Sequence, residues 1–238
     1  MNRSISFEEL IAELRKMANP RNVEGQQRFA IRGGEQLGVS VYDLRRMAKG
    51  VRDHELALRL WDSNIHEARL LATMIDDPSL VTVEQMTAWA NEFESWDICD
   101  QATDNLFIHV DGILSLIPQW AEREEEFVRR AAFAAIAAIA WHGSDFPDEK
   151  LETFLPLVEK YAEDPRNFVK KAVNWALRNI GKRRPGLRQQ AVACAQRLSE
   201  SGSPSARWIG RDALKEFEAK FGSLESELRT DEEDLSHS

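Results

Sequence analysis

Cysteine is scarce in this chain: two in 238 residues, Cys99 and Cys194, far apart and in no CxxC pair. That spacing excludes a disulfide framework and a cysteine-rich zinc site, and it fits a reducing compartment. Long apolar runs are also missing. No stretch approaches the ~20 residues needed to span a bilayer, and the opening MNRSISFEEL has neither the apolar segment nor the cleavage site of a secretory signal. A cytoplasmic, membrane-free protein is expected. The five histidines, His54, His66, His109, His142 and His237, show no HExxH or paired-ligand spacing, so no metal is expected. Gly33-Gly34 lacks the contexts that cradle a dinucleotide or triphosphate, and no GxSxG elbow occurs. No cofactor is expected either.

What the chain has is the composition of a soluble globular protein: 43% hydrophobic, 30% charged and 8% aromatic residues, with a mean hydropathy of -0.45. Its net charge of -9 argues against a nucleic-acid partner when taken as one number. The distribution argues otherwise. Residues 1–165 carry 17 basic and 30 acidic side chains, residues 166–215 carry 12 and 2, and residues 216–238 carry 2 and 8. The middle block, which includes Lys170, Lys171, Arg178 and Arg211, has the form of a basic footprint for phosphates. A solvated face balancing acidic neighbours would use the same residues.

Periodicity is helical almost throughout, with no sustained alternation of apolar and polar residues. The spacing predicts an all-α fold. Ser6 with Glu9, Ser40 with Asp43 and Thr82 with Gln85 have capping-box spacing, and Asp164-Pro165 and Ser203-Pro204 mark further helix starts. Phe127-Val128-Arg129-Arg130-Ala131-Ala132 recurs as Phe168-Val169-Lys170-Lys171-Ala172-Val173 and is echoed by Trp208-Ile209-Gly210-Arg211-Asp212-Ala213. A period near 40 is that of HEAT and armadillo repeats, although amphipathic helices resemble one another by chance. The expected architecture is a right-handed α-solenoid of helix pairs with a concave binding groove. Residues 1–221 would form one repeat domain, and residues 222–238 an acidic, disordered tail.

The segment Ser95 to Leu106 carries the most chemistry. On a helix, Ile98, Ala102 and Leu106 form an apolar stripe, and Trp96, Asp97, Asp100 and Asp104 fall opposite it. Trp96 and Asp100 are one turn apart. An aromatic beside a carboxylate, turned towards a groove, suits a cationic sugar or base; a tryptophan covering the next helix, with aspartates at this helix's start, is the alternative. Downstream, Arg130, Ala134, Ala137 and Trp141 are expected along one strip, the alanines admitting another molecule. Lys171, Trp175 and Arg178 are expected along a polar edge, with Phe168, Ala172, Val173, Ala176 and Ile180 buried. Cations beside indoles fit phosphates and nucleotides, and an acidic protein partner equally well.

The chain resembles the AlkD-like DNA alkylation-repair glycosylases of HEAT-like repeats. Four features carry the resemblance: Leu37-Gly38-Val39-Ser40 followed by Asp43-Leu44-Arg45, the stretch from Leu60-Trp61-Asp62-Ser63 through His66-Glu67-Ala68-Arg69, Trp96-Asp97-x-x-Asp100, and the repeated Phe-Val-basic-basic segments. The resemblance implies hydrolysis of the N-glycosidic bond of cationic N3- and N7-alkylated purines in double-stranded DNA, without metal or cofactor, by a protein expected to be monomeric. It implies Asp100 as the catalytic carboxylate, Trp96 and Trp175 against the lesion's deoxyribose, and Arg130 near the phosphate. It also implies a groove that presses on the lesion without a deep pocket. A non-catalytic binder of branched or damaged DNA and a protein-interaction scaffold share this architecture.

Overall fold

The computed structural model describes residues 5–143 and 145–222. Among them are fourteen α-helices: α1 (Phe7–Lys16), α2 (Pro20–Arg28), α3 (Val41–Ala48), α4 (His54–Asp62), α5 (His66–Ile75), α6 (Val83–Asn91), α7 (Trp96–Asn105), α8 (Ile113–Glu122), α9 (Glu126–His142), α10 (Asp148–Glu152), α11 (Leu155–Tyr161), α12 (Asn167–Arg183), α13 (Arg188–Ser199) and α14 (Pro204–Phe221). The described residues contain no strand, only an isolated bridge between Glu35 and Ile65, so the all-α expectation holds. None of their helices is long and apolar enough to cross a membrane. Most of the acidic tail expected over residues 222–238 lies outside the described residues.

Local sequence sets the helix starts. Ser6 and Glu9 form a reciprocal capping box, while Ser40, Thr82 and Ser203 each accept a backbone N–H from the first turn of α3, α6 and α14. Asp164 behaves differently. Helix α12 begins later, at Asn167, because Asp164 takes the Arg166 backbone N–H and side chain instead.

The chain divides into two compact units, Met1–Ala135 and Ile136–Ser238; the division falls within α9. In the first unit α5 packs against α1, α3, α4 and α7. Nine of its ten residues are buried, as expected of a helix surrounded by others. Its polar members His66, Glu67, Arg69 and Thr73 therefore need partners inside the protein, and each has one. An aromatic cluster adds to this core: Trp61 stacks on Trp89 with ring centroids 4.0 Å apart, Phe93 meets Trp61 edge-on, and Phe107 links Trp89 to Trp120.

In the second unit α12 packs against α11, α13 and α14, and α13 lies close along α14. Gly210 permits that approach. A Cβ there would stand 2.3 Å from the Ser199 nitrogen and 2.5 Å from the Ala195 oxygen, so the repeat's basic position is a glycine in this copy. Arg184 closes the end of α9 by donating to the carbonyls of Ile139 and Ala140 in its last turn and of Gly143 and Phe146 beyond it, two of which, Ile139 and Gly143, also accept a backbone N–H.

Alternate helices are tied to one another by polar pairs. Within the first unit His66 of α5 bonds Asp97 of α7, and Asp100 of α7 pairs with Arg130 of α9. Within the second, Asn174 and Arg178 of α12 reach Asp212 of α14, and Arg178 and Lys182 reach Glu216. Sequence separations of 30–38 residues recur in these pairs, as they would if each helix pair were one structural repeat.

Candidate nucleic-acid interface

Helix α7 presents the faces its periodicity requires. Ile98, Ala102 and Leu106 are buried, whereas Trp96, Asp97, Asp100 and Asp104 are only partly covered. The carboxylates differ in their surroundings. Asp97 accepts from the Ser95 hydroxyl at 2.6 Å and bonds His66 Nε2 at 2.8 Å. Burial opposes its ionisation, but His66 and Ser95 outweigh that and hold its pKa below the ordinary value. It is a structural anchor for the start of α7.

Asp100 is one turn further on, and both of its oxygens are engaged. Arg130 Nε donates to one at 2.8 Å and a terminal guanidinium nitrogen to the other at 2.7 Å, with side chains 7% and 15% exposed for Arg130 and Asp100. Burial pushes the Asp100 carboxyl above its ordinary range, and Arg130 opposes that shift. For Arg130 burial works against the charge, and the Asp100 carboxylate more than restores it. The geometry is a bidentate ion pair, with the guanidinium carbon 6.0 Å from the Trp96 ring centroid. Trp96, Asp100 and Arg130 thus come together. Cys99 has its thiol pushed well up by burial, so it offers no thiolate nucleophile.

Trp96 also faces a second feature. Its indole N–H donates to the Phe29 carbonyl at 2.9 Å, and it forms one wall of a cleft of about 560 Å³ with residues of α2, Phe29, Ile31 and the Gly38–Ser40 turn. A chain of polar contacts holds this cleft. Glu67, fully buried on α5, accepts the backbone N–H groups of Leu37 and Gly38 at 2.8 and 2.6 Å. Asn19 donates its backbone N–H to Leu37 and Asn22 its side-chain amide to Gly38, which seats α2. Gly38 has φ +75°, and a Cβ there would stand 2.3 Å from the Asn19 carbonyl oxygen, so no other residue fits. Neighbouring residues His66 and Glu67 therefore position the two walls. Both lie in stretches quoted for the family resemblance, but their roles were not anticipated from spacing.

In the second unit Lys171 is exposed, and Trp175 and Arg178 are partly covered along the same edge of α12. Ala172, Val173, Ala176 and Ile180 are buried as expected; Phe168 is only half-buried. Two expectations need correction. Ala134 and Ala137 are fully buried, since α9 is enclosed on every side from Ala131 to Ala140, and no second molecule reaches them. Arg178 is not a free phosphate contact either, because Asp212 and Glu216 of α14 already hold it. Of the twelve basic residues in 166–215, Arg166, Arg178, Lys182, Arg184 and Arg197 have carboxylate partners. Lys171 and Arg211 are exposed, and Lys170 lies 4.9 Å from the ring of Trp208. Arg211, Trp208, Arg207 and Lys215 line a shallow depression on α14. No group of histidine, cysteine or acidic residues among the described residues could hold a metal ion.

A family model described as DNA alkylation repair enzyme matches residues 10–217. Two uncharacterized proteins, from Listeria innocua and Listeria monocytogenes, are each 22% identical over 201 residues, covering 82% of this chain and 88% of theirs. A solved protein described as one of "a new family of proteins related to the HEAT-like repeat DNA glycosylases with affinity for branched DNA structures" superposes with a TM-score of 0.72 at 16% identity. The match covers 87% of this chain and 94% of that one, and it identifies the fold as a HEAT-like helical repeat.

Proposed function

The chain belongs to the DNA alkylation repair enzyme family, and on that premise we propose that it is a DNA glycosylase releasing cationic N3- and N7-alkylated purines from double-stranded DNA. The observation that carries this reading is the grouping of Asp100, Trp96 and Arg130 on the partly open face of α7. An alkylated purine is already a cationic leaving group, so hydrolysis needs no acid to protonate it. The C1′–N bond breaks with its electron pair going to the base, which becomes neutral, and positive charge develops on the sugar as in glycoside hydrolysis generally. Water adds to C1′ and releases its proton to the solvent, so the step yields the neutral base, the free sugar hydroxyl and one proton. Asp100 stabilises the sugar cation and orients the water, and the Trp96 indole face adds cation–π attraction. Arg130 favours the ionised carboxylate against its burial. By the family resemblance Trp175 matches a tryptophan that contacts the lesion's deoxyribose, and the basic character of residues 166–215 makes Lys171 and Arg211 the contacts to the DNA backbone.

The test is single-turnover release of 7-methylguanine and 3-methyladenine from a methylated duplex by purified protein. Release lost in Asp100→Asn is the expected result; no release by the unaltered protein overturns the reading. One observation favours a second reading, binding of branched DNA without catalysis: both Asp100 oxygens are occupied by Arg130, which blunts the carboxylate. Tight binding of a four-way junction by a protein that releases no base would establish it.

A further inference from the structure

The geometry points to the face of α14 around Trp208 as a platform for a single DNA strand, one whose bases are already unpaired at a gap, an end or a branch. This rests on DNA being the partner and not on base release, and no base leaves a duplex to reach it.

Tryptophan is seldom left open to water, yet Trp208 is 40% exposed. The aromatics at the same phase of the two preceding copies, Phe127 and Phe168, are half-buried. Cations surround the open ring. Lys170 reaches it from α12, with its ammonium 4.9 Å from the ring centroid. Trp208, Arg207, Arg211 and Lys215 line a depression of about 440 Å³ to which Lys170 does not contribute, so the side of the indole turned to the depression is open. That volume falls within the ~300–1,000 Å³ of small-ligand sites and gives room for one nucleotide. The acidic member of the lining is Asp212, whose carboxylate Asn174 and Arg178 already hold. Arg211 and Lys215, by contrast, are exposed and make no ion pair among the described residues. They lie one helical turn apart on one face, placed for successive phosphates of one strand. Arg207 donates to the Ser201 and Gly202 carbonyls, which fixes its guanidinium at the rim. An aromatic plane set among cations is how single strands are held, with phosphates on the basic residues and a base stacked on the ring. A duplex hides its base faces in its own stack, so it uses the cations without the indole. An acidic peptide has no ring to lay on Trp208.

The experiment uses the intact protein and three fluorescein-labelled probes read by anisotropy. They are a thymidine strand of about 12 nucleotides, within the ~4–16 that single-strand sites cover, an abasic strand with the same phosphates and no bases, and a blunt unmethylated duplex. The thymidine strand should bind roughly tenfold more tightly than the abasic one. Trp208→Ala should weaken the thymidine strand by about tenfold and leave the abasic strand and the duplex within about twofold, while Trp208→Phe keeps most of the affinity. Lys215→Glu should flatten the dependence of log K on log[salt] for the thymidine strand by about 0.7. Trp208 is exposed, so its removal leaves the fold intact, and thermal melting checks each variant. Equal binding of the two strands, wild-type affinity for the thymidine strand in Trp208→Ala, or an equal loss on the duplex overturns the assignment. So does an oligoglutamate of the same length that competes as well as the thymidine strand, which would make the partner an acidic protein. Should the unaltered protein release no methylated base, the proposed function falls while the strand titrations still decide the platform.

Discussion

Asp100→Asn probes the proposed chemistry most directly, and the structure shows that it will do two things at once. Arg130 is nearly enclosed and its bidentate partner would lose its charge. Removing one member of a buried pair costs ~3–5 kcal/mol. Asparagine keeps one acceptor for the guanidinium and the site is partly open, so about 3 kcal/mol is expected, within the ~5–15 kcal/mol by which ordinary domains are stable. The variant should fold, with a lower urea midpoint. Loss of a preorganised electrostatic group costs about 10²–10³ in rate, or ~2.7–4 kcal/mol. Because the two losses are of similar size, the assay must be single-turnover release of 7-methylguanine with saturating enzyme, well below the variant's unfolding midpoint. Arg130→Leu separates them further. Burial already raises the Asp100 pKa against the pull of Arg130, so removing the guanidinium raises it more. A carboxyl with a raised folded-state pKa is favoured in its protonated form: the variant should be most stable in acid and lose stability as pH rises through that pKa. Its excision rate should do the opposite, rising with pH along a limb displaced upward from that of the wild type. Full excision by Asp100→Asn, or superimposable pH–rate profiles for wild type and Arg130→Leu, would refute the reasoning.

Three other outcomes follow from the geometry. Lys171→Glu and Arg211→Glu should each weaken duplex binding at low salt and flatten the dependence of log K on log[salt] by about 1, whereas Arg178→Glu, which breaks contacts to Asp212 and Glu216, should lower the melting temperature first; unchanged salt slopes in the first two would remove α12 and α14 from the interface. Glu67→Gln leaves one of the Leu37 and Gly38 N–H groups without its acceptor and should cost ~2–4 kcal/mol in urea unfolding, with proteolysis of the α2 region accelerated; a change under about 0.5 kcal/mol would show that the turn is held otherwise. Asp97 has a lowered pKa, so its contribution is present above its unfolded value of about 3.9 and lost as pH falls through the lower folded one; unfolding of wild type and Asp97→Asn should therefore differ at neutral pH and converge in strong acid, and a constant gap between them would rule the His66 pair out as the cause.

Legibility in the sequence followed the distance over which each feature is decided. Caps such as Ser6 with Glu9 involve neighbours three residues apart and could be read directly; the face of α7 follows from the 3.6-residue period alone. The basic positions Arg130, Lys171 and Arg211 share one phase of the repeat, yet Arg130 is buried and the other two are exposed, because the partner of each is set by a different helix. Asp100 lies 30 residues from Arg130, and nothing local to either announces the pair. The cleft was still harder to see: Gln26 and Phe29 lie in or beside a polar helix with no buried residue, where hydrophobic periodicity carries no signal. What could have been read is the adjacency of His66 and Glu67. Ionisable residues in a largely apolar segment are costly to bury unless each is matched, and α5 is enclosed by its neighbours. His66 turns to Asp97 and Glu67 to the Leu37–Gly38 turn, so the same two side chains set the helix bearing Asp100 and the wall bearing Phe29. A substitution at either should therefore slow single-turnover excision and lower the urea midpoint together, although neither residue lines the cleft.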